Sequence, residues 1–480
     1  MSYPTTEWGT SPKGMMKVYQ GQNYDLGQTI ADLVDNGIDE GASSVEIIIN
    51  PGLNQDDLYI AIFDNGSGIP EDQFDEIMKL GQSTKLDATK LGVFGVGLKL
   101  SSLAQADEVT IVSREKGETP ALRRISAPYI MKTDSNRLLK VPCTNDDGQE
   151  TDAYQFCYNK LIDEDWSTFV LLESIHSSDQ FVAVNENYKT SLSKEVKKIM
   201  VHLGLTYHRI LESTNVEISI GTGGKSKPIV PVHPSMPKES DLDFGTVRTG
   251  NQTIAYDHDN INLNVGVEYV ILPHVKTRQH KSSETVNHGY KRAADMQGLY
   301  IYRNNRLIQY GGWQGIFGGS GNRNDPHATY GKIFVDIPAD HIKIFGLNPT
   351  KTGVKLPQEF LRRLLDDSKQ PRKWGGINGG KEMTFFEAFD HRYRKDAAAY
   401  KKKKQQAGTA SSHMELQPAT PQEVTADPQA RVRSRKKRLK PKKIISNISE
   451  RGNEVILTFS GSEEERRGFI EAIKEWRANE

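Results

Sequence analysis

Between residues 26 and 38 the apolar side chains fall at Leu26, Ile30, Leu33, Val34 and Ile38, the spacing of a helix with one apolar face. Two apolar runs follow, over residues 45–49 and 58–63, and both read as buried strands. Pro70 and the acids after it mark a helix start, with Phe74, Ile77, Met78 and Leu80 as its apolar side. Residues 81–91 are short of apolar positions and read as a mobile lid. Strands are expected at 109–113 and 168–173, a helix at 194–211, and a strand at 216–220 that runs into the turn Gly221-Thr222-Gly223-Gly224. After Pro231 the pattern restarts with strands at 253–256, 264–272 and 298–303. Residues 382–405 predict a long polar helix. The tail predicts one strand at 455–459 and one helix at 462–476, too little to fold without packing on something else.

With 480 residues the chain has room for two or three domains with real cores. Sixty-two basic and 62 acidic side chains cancel, so no global field points to a partner. The charge is uneven, however. Lys401-Lys402-Lys403-Lys404 and the basic run 431–443 flank a segment, 407–430, rich in Ala, Thr, Pro, Ser and Gln that reads as a disordered linker. The basic stretches read as a phosphate-binding patch for nucleic acid, with a solvated arm as the plainer alternative. Cys143 and Cys157 are the only cysteines, too few for a zinc knuckle built on thiolates and in keeping with a reducing cytoplasm. No leader-like apolar segment opens the chain and no run is long enough to cross a bilayer, so a cytoplasmic protein without membrane contact is expected.

Two stretches carry candidate chemistry. Ile62-Phe63-Asp64-Asn65-Gly66-Ser67-Gly68 is an apolar strand running into an acid and two glycines. The acid can accept a hydrogen bond from a flat polar ring, and the glycines let that ring come close to the backbone. Leu91-Gly92-Val93-Phe94-Gly95-Val96-Gly97-Leu98-Lys99 is a glycine-rich loop opening into a helix, which presents backbone N–H groups to an anion. With the helix segment Ala31-Asp32-Leu33-Val34-Asp35-Asn36 upstream, they describe an ATP site. It is not of the Walker type, because G-x-x-x-x-G-K-[ST] is absent.

The order of these three blocks, all between residues 31 and 99, resembles the GHKL ATPases, the group of the gyrase B subunit, large heat-shock chaperones, histidine kinases and MutL. Within it the chain is most similar to the MORC and MutL types, in a bacterial-looking form. Asp64 to Gly68 resembles the D-x-G-x-G box, Gly92 to Lys99 the glycine-rich end of the lid, and Asp32 to Asn36 the E-x-x-D-N box with Asp in place of Glu. Gly298 to Ile308 resembles a hairpin of the transducer domain, and Pro349-Thr350-Lys351-Thr352 the loop in which this superfamily carries its lysine. The resemblance implies an α+β fold: a Bergerat-type ATPase sandwich, a mixed sheet with helices over one face, followed by an α/β transducer domain. The expected organisation is ATPase domain with N-terminal arm, 1–225; transducer, 226–370; helix, 371–406; basic linker, 407–443; and a strand–helix element, 444–480.

The resemblance also implies roles. Asp32 stands where the family's general base stands, and would orient and deprotonate the water attacking the γ-phosphate. Asp is about 1.5 Å shorter in reach than Glu, so either the backbone sits closer or a second water relays the proton. Asn36 would hold Mg2+; Asp35 is expected to be structural. Asp64 would accept from the adenine amino group, with Gly66 and Gly68 beneath the ring and the Thr168 hydroxyl in support. Gly92, Gly95, Val96, Gly97 and Leu98 would wrap the phosphates, with Lys85 and Lys99 as phosphate candidates. Lys351 would reach the γ-phosphate, Lys343 and Lys355 being competitors, while Arg303 and Arg306 are expected to organise their hairpin. The implied activity is Mg-ATP-dependent dimerisation and hydrolysis by a homodimeric clamp on DNA. The alternatives are an ATP switch serving other protein subunits in an antiviral defence or restriction system, and a chaperone-like ATPase. A histidine kinase would need a phosphoacceptor upstream, and no His precedes His176.

Overall fold

The computed structural model describes residues 9–22, 24–52, 57–79, 89–92, 97–176, 187–222, 226–234, 247–272, 296–317, 327–348, 351, 353–395, 398, 445–451 and 454–459. The chain divides into two compact units, residues 1–408 and 409–480.

The first unit opens with α1 (Pro12–Gln20) and α2 (Leu26–Asp39). A capping box fixes the start of α2. The Asp25 side chain accepts the Gly27 N–H at 2.8 Å, and the Gln28 side chain takes the Asp25 N–H at 3.3 Å. Leu26, Ile30, Leu33 and Val34 sink into the core. Next come β1 (Ser44–Asn50), β2 (Tyr59–Asp64), α3 (Glu71–Ile77), α4 (Gly97–Leu103), β3 (Ala106–Ser113) and β4 (Ala121–Ser126). They are followed by α5 (Ala127–Thr133), α6 (Asp152–Asp163), β5 (Thr168–Ile175), α7 (Tyr188–Thr206), α8 (His208–Ser213), β6 (Glu217–Gly221) and β7 (Lys227–Pro228).

The strands form one sheet in the order β4-β3-β5-β2-β1-β6-β7, antiparallel except for the parallel β1–β6 pair. β5 is paired on both edges and buried over residues 168–172, which is why its sequence is an unbroken apolar run. One face packs against α1, α2, α5 and α7 through Val45, Ile47, Ile60, Ile62, Val109 and Leu172. The other face is also covered: Tyr154, Cys157 and Leu161 of α6 pack on Ile48, Ala61, Phe63 and Leu171. Helices over one face alone would have left those apolar side chains in water. The helix expected at 194–211 begins earlier and divides into α7 and α8. Between them Tyr207 leaves helical geometry at φ −107°, ψ 8°.

A second sheet is built from β8 (Val247–Arg248), β9 (Gln252–His258), β10 (Ile261–Ile271), β11 (Gly298–Arg303), β12 (Arg306–Tyr310) and β13 (Gly331–Asp336), in the order β12-β11-β13-β10-β8 with β9 on β10. The β11–β12 hairpin turns at Asn304 and Asn305, both at positive φ; Asn tolerates that region better than other side chains. α9 (Gln358–Ser368) packs Phe360, Leu361 and Leu364 into this core. The core draws on residues up to Phe389. Residues 382–383 pair as a short strand with 372–373, and the helix over 385–395 buries Phe385, Ala388 and Phe389 against Trp313 and Trp374. The long polar helix expected from residue 382 thus starts later, and one of its faces is aromatic.

In the second unit β14 (Ile445–Arg451) and β15 (Glu454–Phe459) pair as an antiparallel hairpin. The first of these strands was not expected from the sequence. The segments 401–404, 407–430, 431–443 and 462–476 lie outside the described residues.

Candidate functional site

The α2 helix places Asp32, Asp35, Asn36 and Asp39 at intervals of three and four, on neighbouring rows of the helix surface. Its other residues of note are glycines and apolar anchors. A Cβ on Gly37 would lie 2.9 Å from the Cβ of Asp64, so a glycine there lets the helix press onto the end of β2. Asp64 Oδ1 accepts the Gly66 N–H at 3.0 Å. Gly68 has φ +76°, and a Cβ on it would stand 1.9 Å from the carbonyl oxygen of Arg114. Position 68 therefore admits glycine alone. Thr168 faces Asp64 across the β2–β5 ladder. Its hydroxyl lies 2.7 Å from that of Ser113, which in turn accepts the Ile69 N–H at 2.9 Å. Asp64, Gly66, Gly68 and Thr168 thus share one end of the sheet.

Asp32 is buried, 2 % exposed. Gly97, the first residue of α4, sits against it: a Cβ there would be 3.8 Å from Asp32 Oδ2. The glycine loop's end and the candidate base therefore meet. Neither Asp32 oxygen accepts an aligned hydrogen bond among the described residues. Burial raises the Asp32 carboxyl above the ordinary range, with the Lys351 ammonium, Oδ1 to Nζ 3.3 Å, pulling the other way. The buried Tyr24 hydroxyl also lacks a partner, and burial, then the Asp32 charge, hold it protonated.

Asp35, fully buried, is the hub of the network. Its Oδ1 accepts from Arg306 Nε at 2.8 Å and from the Tyr207 hydroxyl at 2.7 Å; its Oδ2 accepts from Lys351 Nζ at 2.6 Å. Tyr207 also contacts the Ala31 carbonyl at 2.7 Å, which explains the break between α7 and α8. Burial by itself would raise Asp35, but the Arg306 guanidinium and Lys351 ammonium overcome that and hold it low. Arg306 Nη2 is 3.9 Å from Asp32 Oδ1. Two acids on α2 thus face two cations from the second sheet and the loop at 351, and the charges balance. Asp35 joins α2 to the second sheet through Arg306 and to the loop at 351 through Lys351. Arg306 does more than organise its own hairpin.

The segment at residues 89–92 is also held. The Asp39 carboxylate accepts the N–H groups of Leu91 and Gly92, each at 2.6 Å, and Lys90 Nζ reaches the Asp39 carbonyl. Arg303 Nη1 donates to the Lys90 carbonyl at 2.7 Å, and Asn304 Nδ2 to that of Thr89 at 3.0 Å. Asp39 was not singled out from the sequence, although its place seven residues after Asp32 could have shown it. The contacts of Arg303 and Asn304 left no signal in sequence.

Other candidates are placed differently. Lys99 is buried, and its ammonium donates to the carbonyls of Ile77 and Lys79 at 2.7 and 2.8 Å, closing the end of α3; burial lowers it to about 8. Leu98 packs on the first core. Asn36 is half-buried one turn beyond Asp32. Lys85, Gly95 and Val96 lie outside the described residues, as do Thr350 and Thr352. Among the described residues no cluster of His, Cys, Asp or Glu forms a metal site by itself. A polar cleft of about 580 Å³ lies elsewhere, between α8 and the second sheet. Its charges pair with one another, Arg209 with Asp336, Arg248 with Glu268 and His233 with Glu212. No described helix is long and apolar enough to cross a membrane.

Comparison with known proteins follows this geometry. Residues 24–156 match the family described as histidine kinase-, DNA gyrase B-, and HSP90-like ATPase. Protein MICRORCHIDIA 3 of Arabidopsis thaliana is 28 % identical over 144 residues, 29 % of this chain and 24 % of its own. The DNA mismatch repair protein pms1 of Schizosaccharomyces pombe is 34 % identical over 111 residues, 22 % of this chain and 14 % of its own. The DNA mismatch repair protein MutL of Shewanella baltica is 35 % identical over 97 residues, 19 % of this chain and 15 % of its own. The matches thus span at most about a quarter of these relatives. Residues 24–156 thus match the domain of the histidine kinase-, gyrase B- and HSP90-like ATPases, and within that part the chain is similar to MICRORCHIDIA and MutL-type proteins.

Proposed function

We propose that this chain binds and hydrolyses ATP with Mg2+, and that nucleotide binding closes a homodimer that acts as a clamp on DNA. The observation that carries the reading is the meeting of Asp32, Lys351 and the start of α4 at one buried point, with Asp64 and its glycines at the sheet end beyond. Asp64 would take the adenine amino group, and Gly66 and Gly68 leave room for the ring. Asp32 would hold the attacking water and accept its proton. Its raised pKa brings it closer to the working pH, which suits a general base. Lys351 would exchange its ion pairs for the γ-phosphate and stabilise the charge that develops there. Asn36 would hold Mg2+, which screens the phosphates when bound. Gly92 and Gly97 flank the loop that would wrap them.

Two features support the DNA part. Relatives of this domain are named for DNA mismatch repair, and the basic runs at 401–404 and 431–443 supply lysines and arginines for phosphates. Light scattering on the full chain, with and without a non-hydrolysable ATP analogue, tests the clamp. A monomer that becomes a dimer only with nucleotide is expected, with DNA binding that weakens steeply as salt rises. A mass unchanged by the analogue would refute ATP-gated closure and favour a switch subunit that acts through other proteins.

A further inference from the structure

The face of the first sheet that α6 covers carries a row of buried polar side chains beside its apolar ones. Glu108 and Glu173 stand directly opposite each other on β3 and β5, and Ser126 stands opposite Glu108 on β4. Glu108 Oε1 accepts the Ser126 hydroxyl at 2.6 Å, and the Ser126 oxygen takes the Tyr129 N–H at 3.2 Å, capping α5. Glu173 Oε1 accepts the Thr151 hydroxyl at 2.7 Å, and the Thr151 oxygen takes the Tyr154 N–H at 3.2 Å, capping α6. A hydroxyl donates once and a backbone N–H only donates, so the direction of both relays is fixed. Each carboxyl thus holds, through one hydroxyl, the start of a different helix.

The other oxygen of each carboxyl accepts no hydrogen bond among the described residues; the Thr110 hydroxyl and Arg124 Nε, on the neighbouring rung of the same face, make none either. The surrounding charges do not balance. Arg124 reaches in from β4, its Nη1 3.4 Å from Glu108 Oε2. Cys143, before α6, is pushed up to about 11, by burial first and then by the two glutamates. Tyr59 of β2 is pushed up to about 12, by burial first, and burial also raises the Cys157 thiol of α6. These three groups are therefore neutral at ordinary pH. Asp107, next to Glu108 on β3, adds negative charge and is engaged by Gln20 and His176 at 2.7 Å each. Two buried acids thus face one cation, and an uncompensated buried charge is costly. A proton on either second oxygen cancels that charge and turns an acceptor that accepts nothing into a donor.

We infer that Glu108 and Glu173 form a proton-operated latch: with one proton between them the starts of α5 and α6 are held to the sheet, and with none they are loosened. Nucleotide plays no part in it. Burial raises both carboxyls above the ordinary glutamate range. For a group raised on folding, the stabilisation is present below the unfolded value and is lost as pH rises through the folded one. The latch is therefore closed in mild acid and opens as pH rises. What it opens is the cover of the sheet. Tyr154, Cys157 and Leu161 of α6 pack with Phe63 and Phe169, the chain neighbours of Asp64 and Thr168. An open latch would loosen the packing behind that end of the sheet.

The test is hydrogen exchange on the nucleotide-free full chain, read at the Tyr129 and Tyr154 amides, each rate being compared with that of an unstructured peptide at the same pH. In the parent, protection at both amides is expected to fall about tenfold between about pH 5 and about pH 8. The amides of β13, Gly331–Asp336, serve as reference and should keep their protection. Glu173→Gln puts a permanently neutral donor and acceptor where the protonated carboxyl would stand, so protection at Tyr154 should stay within about twofold over the same range. Glu108→Gln should do the same for Tyr129. Parent protection that is flat or rises with pH overturns the latch, as does an equal fall in β13. A glutamine variant that keeps the parent's full pH response overturns it too. If one glutamine variant does not fold, the other and the parent profile decide by the same readings.

Discussion

The first sheet and its helices bury two pairs of carboxylates, Asp32 with Asp35 and Glu108 with Glu173, and the pairs are balanced in different ways. Asp32 and Asp35, on α2, face two cations, Lys351 and Arg306. Glu108 and Glu173 stand directly opposite each other on β3 and β5, both about 8 % exposed, and share one nearby cation, Arg124, at 3.4 Å from Glu108. Their other partners are hydroxyls at helix starts: Ser126 donates to Glu108 at 2.6 Å and Thr151 to Glu173 at 2.7 Å. One oxygen of each glutamate accepts no hydrogen bond among the described residues. The outcome follows the count of cations. Burial raises both glutamates above the usual carboxylate range. On α2 the cations hold Asp35 low, while the less well bonded Asp32 stays raised. Buried carboxyls are thus held low or pushed up according to the charges that the tertiary fold brings to them.

The largest expected effect is at Asp32. Asp32→Asn keeps the size of the side chain and removes the proton acceptor, so ATP turnover should fall by roughly 10²–10⁴-fold. Binding of a non-hydrolysable analogue should stay close to the parent's. Calorimetry and a phosphate-release assay read the two quantities separately, and turnover at the parent rate would remove Asp32 from the role of base.

Asp35→Asn should act on stability. The change leaves Arg306 and Lys351 buried with less negative charge to face, and breaking such a pair costs about 3–5 kcal/mol. Urea unfolding of the nucleotide-free chain measures it. The pH dependence has a definite sign. The folded Asp35 carboxyl is lower than the unfolded one, so its contribution is present above the ordinary aspartate range and is lost as pH falls through the folded value. The parent should therefore lose its advantage over Asp35→Asn in acid.

Glu173→Gln should have the smallest effect and the opposite tendency. It removes one charge from an under-neutralised pair while the amide oxygen can still accept from Thr151. The expected change is within about 1 kcal/mol of the parent, neutral or stabilising, with ATP turnover unaffected. Here the folded carboxyl is raised. Its favourable contribution is present below the unfolded value and is lost as pH rises through the folded one. The variant's relative stability should thus improve from acid toward neutral pH. A loss of several kcal/mol would show that the two pairs are bonded alike and would break the contrast.

Much of the site was legible in the chain. The apolar period of residues 26–38 gave α2 and put Asp32, Asp35 and Asn36 on its polar side. The strand run into Asp64, Gly66 and Gly68 gave the sheet end, and the positive φ of Gly68 explains why glycine stands there. Local spacing suffices for these features because helix and strand geometry is fixed by near neighbours. The sequence also marked Lys351 as a cation for this site, by its resemblance. It could not show that Arg306 is a second cation beside Asp35, that Tyr207 breaks a helix to reach Asp35, or that Asn304 holds the backbone at Thr89. Nor could it show that Lys99 closes the end of α3. Those partners lie between 20 and more than 270 residues apart in sequence. Only the packing of two sheets decides which charge each buried acid meets, because a buried charge is tolerated where a distant part of the chain supplies its partner.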